Sequence, residues 1–161
     1  MKNKFPLFID VEASTSDEDG FPVAISWSLP DGQLKSVLII PDDEWDPWEH
    51  TGHDIDIQHL FDQGVSGPDI ISELNEDLDG QTVYIDGIDE DEALIEKLFD
   101  TYQQSLGFEL APATELFSKL SIEELLAQRQ EIIREHQLDP ESIEDKVRAF
   151  IFLANESFNL V

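Results

Sequence analysis

The chain has no cysteine among its 161 residues, which excludes disulfides, thiolate catalysis and zinc-thiolate centres. It is also short of positive charge. Nine lysines and arginines stand against 37 aspartates and glutamates, a formal net charge of −28. Such a balance favours solubility and opposes nonspecific attraction to phosphate backbones or anionic membranes. Salt adaptation or a solvated acidic surface explains it plainly; mimicry of nucleic acid toward a basic protein partner explains it more sharply. No apolar run approaches the roughly 18 residues of a membrane span. Lys2 and Lys4 precede only a short apolar stretch that ends at Asp10, not a secretory leader. Internal repeats and low-complexity linkers are absent too. With 40% hydrophobic residues, one globular domain over 1–161, cytoplasmic and without a membrane partner, is the expectation.

Against this background one segment stands out. Phe5 to Ser14 reads as a strand, and it carries Asp10 and Glu12 inside an otherwise apolar run. Alternation puts these two carboxylates on one face, about 7 Å apart along the chain, with Leu7, Ile9, Val11 and Ala13 on the other. Carboxylates in a core strand need a compensating positive charge. A divalent cation supplies it, and two-metal phosphoryl-transfer sites use carboxylates in this arrangement. Similar acidic pairs recur at Asp17/Asp19, Asp42/Glu44 and Asp89/Asp91, but in polar, turn-like surroundings. The scarce basic residues are uneven: Lys97, Lys119, Arg129, Arg134, Lys146 and Arg148 all follow residue 90. Any anion-facing surface is therefore expected in the C-terminal part.

The remaining pattern gives an element order. Phe21 to Leu29 alternates, with Val23, Ile25, Trp27 and Leu29 on one face; Pro30-Asp31-Gly32-Gln33 is a hairpin turn, and Leu34 to Ile40 a third strand. Pro41 to Gly64 reads as irregular. It holds Trp45 and Trp48, expected as a flap over the core edge, and His50, His53 and His59, whose spacing fits no standard zinc pattern. A helix is predicted from Ser66 to about Leu78, a strand over Thr82–Asp86 and a helix over about Glu90–Gln104, with a short strand near Phe108–Leu110. Ser121-Ile122-Glu123-Glu124 is a capping box opening a helix to about Leu138. Asp139-Pro140 reads as the cap and first residue of a last helix, reaching about Phe158. A helix between the meander and the fourth strand implies a crossover and a mixed sheet.

This order, with D-x-E on the first strand, resembles the DEDD-type 3′–5′ exonucleases of the ribonuclease H-like fold, closest to their small stand-alone bacterial members. Trp45 to Leu78 resembles their tryptophan-bearing segment, Gln81-Thr82-Val83-Tyr84-Ile85-Asp86-Gly87 their "vYsDg" strand, and Asp91 with Leu94, Ile95 and Leu98 their aspartate leading a leucine-rich helix. The resemblance implies an α/β fold with a mixed central sheet, an antiparallel β1–β3 meander plus crossover strands, flanked by helices. It implies Asp10, Glu12 and Asp91 as ligands of two Mg²⁺ or Mn²⁺ ions, and hydrolysis of single-stranded RNA or DNA from the 3′ end. Asp86 competes with Asp91 for the second-motif place, its plainer reading being a strand-ending turn aspartate.

The third motif departs from the family. Its H-x-A-x-x-D-V-x-A pattern meets Glu141-Ser142-Ile143-Glu144-Asp145-Lys146-Val147-Arg148-Ala149, so Glu141 stands at the histidine place and Lys146 at the aspartate place. Asp145 could supply the carboxylate if the register slips by one, although it points away from the Ile143/Val147/Phe150 stripe, which Lys146 borders. His136 could supply the general base, although it falls on the preceding helix, on the face of Ile122, Leu125, Arg129, Ile132 and Ile133. Two readings follow: a metal-dependent exonuclease, or a catalytically degenerate member that keeps the fold and binds a basic protein partner, with Lys146 in place of one metal's charge.

Overall fold

The computed structural model describes residues 4–87 and 90–160; Lys2 and Asp89 lie outside them. Three strands, β1 (Leu7–Ala13), β2 (Pro22–Ser28) and β3 (Leu34–Leu38), form the meander. Its second turn closes where Gly32 takes φ +86° and Asp31 accepts a hydrogen bond from the Gln33 N–H at 3.0 Å. Helices α1 (Ile57–Gln63) and α2 (Gly67–Asp77) then lead to β4 (Thr82–Ile85). After it come α3 (Asp91–Thr101), β5 (Glu109–Pro112), α4 (Ala113–Leu116), α5 (Ile122–Glu135) and α6 (Ile143–Phe158).

The five strands lie in the order β3-β2-β1-β4-β5. The β3-β2-β1 half is antiparallel and the β1-β4-β5 half parallel, so β1 is central and joins the two halves. This is the mixed sheet expected from the order of elements.

Alternation along β1 divides the molecule into layers. Leu7, Ile9 and Val11 join Val23, Ile25 and Trp27 in a core closed by Ile70, Ile71 and Leu74 of α2 and by Leu94, Ile95 and Leu98 of α3. Phe8 enters a second core on the opposite face, with Leu125, Ile132 and Ile133 of α5 and Val147, Phe150 and Ile151 of α6. Its ring packs against both Phe150 and Phe117, at centroid distances of 5.2 and 6.4 Å, and those two rings also meet each other. Asp10 and Glu12 share the Phe8 face by parity, and so look toward α6.

Two boundaries differ from the sequence expectation. The segment 41–64 is not wholly irregular: Asp56 caps α1 by accepting the His59 N–H, and Ile57 and Leu60 are buried. Seven residues are too few for helical periodicity to stand out. The last helix begins at Ile143, capped by Ser142 and not by Asp139, because the Ser142 hydroxyl takes the Asp145 N–H at 3.2 Å. Asp139 instead accepts the Glu141 N–H, which leaves Glu141 in the turn before α6. Trp45 is buried, stacks on Phe21 at 5.4 Å and donates to Thr101, whereas Trp48 is 67% exposed against Phe61. Of the two, only Trp45 covers the core.

Candidate metal centre

The site begins with a register. In the parallel β1/β4 pair Leu7 stands opposite Val83 and Phe8 opposite Tyr84. Two residues further, Asp10 and Asp86 are level and on the same face, since side chains alternate in both strands. There β4 ends, and Gly87 turns the chain with φ +86°. A side chain at Gly87 would be strained and would press on Pro112, whose Cβ lies 3.0 Å from the position it would take. The chain returns in α3, whose first residue is Asp91. A carboxylate suits that first turn, where the unsatisfied amides give the helix a partial positive end. Asp10, Asp86 and Asp91 are all buried, and one oxygen of each lies within 4.8 Å of the others.

Two basic side chains come from the helices across the second core. Arg129 of α5 sits on the buried stripe of Leu125, Ile132 and Ile133. Its Nη1 lies 3.7 Å from Oδ2 of Asp86, and its guanidinium covers the Phe150 ring at 4.8 Å. Lys146 of α6 forms the wall of an open cleft of about 400 Å³ that also reaches Asp10, Glu12, Asp91 and Glu141.

The electrostatics follow from this packing. Burial, then the charge of Asp86, pushes the Asp10 carboxyl up to about 7. Lys146, Arg129 and the Val11 N–H, which donates to Asp10 Oδ1 at 2.8 Å, hold it from rising further. Glu12 is also raised, by partial burial first and by Asp54 second, against the pull of Lys146. Converging carboxylates in a poorly solvated place favour protonation or a cation. The donor set fits a hard divalent ion: its oxygens are carboxylates only, and ligands about 2.1 Å from Mg²⁺ or Mn²⁺ sit roughly 3–4 Å apart.

Of the residues singled out from sequence, Asp10 and Asp91 come together. Glu12 lines the same cleft but is exposed and lies outside the trio. Asp86, which reads from sequence more readily as a turn residue, is 2% exposed and belongs to the trio. Asp145 is engaged elsewhere: it accepts the Asp139 N–H at 2.8 Å and pairs with Arg148. His136 caps α5, stacks on Phe152 at 4.3 Å and is exposed, away from the cleft lining. Arg129 was not foreseen as part of the site. Its signal was an arginine at a core position of an apolar stripe, which demands a buried anion.

Sequence comparison matches the chain to no protein family and to no curated protein. Solved structures do match. A chain of the SSB/exonuclease I structure in complex with the inhibitor CFAM aligns with TM-score 0.61 over 97% of this chain, at 8% identity. This chain spans 42% of that one. A chain from the co-crystal of the yeast NOT1 MIF4G domain with CAF1 aligns with TM-score 0.58 over 97% of this chain and 81% of its own length, at 12% identity. Exonuclease I from Methylocaldum szegediense aligns over 69% of this chain and 28% of its own, at 12% identity, with a TM-score of 0.46 too low to carry weight. At these identities the likeness concerns the fold alone, a mixed five-stranded α/β sheet flanked by helices.

Proposed function

We propose that the chain is a divalent-cation-dependent 3′–5′ exonuclease-like phosphodiesterase acting on the ends of single-stranded RNA or DNA, as one domain. The observation that carries this reading is the buried trio Asp10, Asp86 and Asp91, converging within 4.8 Å beside the ends of two parallel strands. That is where ligands collect in open α/β sheets. Asp10, Asp86 and Asp91 would hold Mg²⁺ or Mn²⁺, which when bound supplies charge stabilisation for a phosphodiester and lowers the pKa of a water. Glu12, at the exposed rim, is placed to order that water or to add a fourth oxygen. Lys146, on the opposite wall, is placed to pair with a phosphate oxygen. A cleft of about 400 Å³ falls in the range of small-ligand sites and suits a single nucleotide at a strand end better than a duplex. The acidic exterior disfavours long backbone contacts.

The test is a 5′-labelled single-stranded oligonucleotide, RNA and DNA in parallel, incubated with the protein and Mn²⁺. Stepwise shortening that disappears with chelator and in Asp10→Asn supports the reading; intact substrate at high enzyme concentration counts against it.

Lys146 and Glu141 on the cleft wall favour a second reading, a degenerate member that binds a basic protein. In that case the same assay gives no products, and salt-sensitive binding to a polyarginine probe takes their place.

A further inference from the structure

Resting on the cation-site reading, we infer that this site takes one divalent cation and not two, because Arg129 and Lys146 are built in as the counter-charges of the second. Asp10, Asp86 and Asp91 form the trio, and Glu12, Glu90 and Glu141 line the same cleft. Among these carboxylates one guanidinium and one ammonium already supply two positive charges, the charge of one divalent ion.

The geometry distributes these charges. Arg129 approaches Asp86 from the second core, at 3.7 Å, with its guanidinium over the Phe150 ring. It is 9% exposed, and its Nη1 makes no hydrogen bond among the described residues. A guanidinium does not deprotonate in a protein, so this charge is permanent. A metal ion on that side of Asp86 would meet a fixed like charge. Lys146 stands on the cleft wall, and its charge acts on both Asp10 and Glu12. What remains is the side of the trio that opens to the cleft, where Asp10 and Asp91 are reached and Asp86 is not. Asp10 of the first strand and Asp91 at the start of α3 would hold the single ion there.

Titration of Mn²⁺ into the full chain, followed by electron paramagnetic resonance at about 0.3 M salt to screen loose surface binding, counts the ions. Only ions lost on Asp10→Asn are assigned to the site. One such ion is expected in the wild type and two in Lys146→Asp, whose side chain lies on the half-buried wall and leaves the core intact. Arg129→Met is expected to tighten the first ion about tenfold by removing a nearby positive charge. Two Asp10-dependent ions in the wild type would overturn the single-ion inference and leave the cation site standing. No Asp10-dependent ion would overturn the cation-site reading itself. A single ion in Lys146→Asp would show that the Lys146 ammonium does not stand in for the second cation.

Discussion

Replacing Arg129 with methionine isolates the contribution of its buried guanidinium to this fold. Methionine keeps most of the side chain's length and apolar stem, so packing against Phe150 is largely retained while the charge goes. Asp86 then faces the second core without the guanidinium now 3.7 Å from its Oδ2. Breaking a buried ion pair from one side costs about 3–5 kcal/mol, because the remaining charge stays desolvated. Loss of the contact over the Phe150 ring, 4.8 Å from the guanidinium carbon, adds roughly 0.5–2 kcal/mol. We expect about 3 kcal/mol of destabilisation, the low end, since Asp86 has further interactions of its own. Urea denaturation of the wild type, Arg129→Met, Asp86→Asn and the double variant forms the cycle. The double variant is expected to recover at least about half of the loss, as neutral pairs replace charged ones at little net cost. If Arg129→Met loses less than about 1 kcal/mol, or if the double variant is no more stable than the single, the pair does not hold the site together.

In chelator, Asp10→Asn is expected to exceed the wild type in stability. The native state holds the Asp10 proton up to about 7 while the unfolded chain releases it near 4, so wild-type stability falls as pH rises between those values. The variant's margin is about 4 kcal/mol at pH 7.5 and about 2 kcal/mol at pH 5; a margin that ignores pH would remove the charge argument. Combining Glu141→His with Lys146→Asp is expected to raise Mn²⁺-dependent hydrolysis at least about tenfold, read on a labelled single strand, and unchanged rates would contradict the role of these two positions in limiting the site. At Gly67, a Cβ would stand 2.1 Å from the Tyr102 ring. Gly67→Ala should therefore lower stability by about 1–3 kcal/mol, with Tyr102→Ala in the same chain restoring part of it.

The strand pattern was legible because period-two alternation in β1 and β2 separates two cores, so Leu7, Ile9 and Val11 could only face away from Phe8, Asp10 and Glu12. The pairing of β1 with β4 was less so. Parallel neighbours carry no turn between them, and without that register Asp86 has no reason to be level with Asp10. The start of α6 was misplaced by three residues because Asp139-Pro140 and Ser142 are both good openings, and only the hydrogen bond from the Asp145 N–H chooses between them. Lys146 could be placed on the site wall because helical spacing alone sets it beside the Val147 and Phe150 stripe. Arg129 was visible on its stripe, but the carboxylate it meets belongs to a strand end more than 40 residues earlier.

That separation bears on how the protein is made. Asp10 is synthesised more than 110 residues before the helices that cover its face of the sheet, which come after residue 121. A nascent chain halted before α5 can complete the core between the sheet and α2/α3, yet Phe8 would lie bare beside three acidic groups with no cation to meet them. Folding through contacts this distant in sequence is slow, and a half-covered sheet exposes apolar surface to other chains. The closing of the last two helices is therefore the step at which the acidic end of β1 acquires its counter-charges, and a chaperone or an early-bound ion would act in the interval before it.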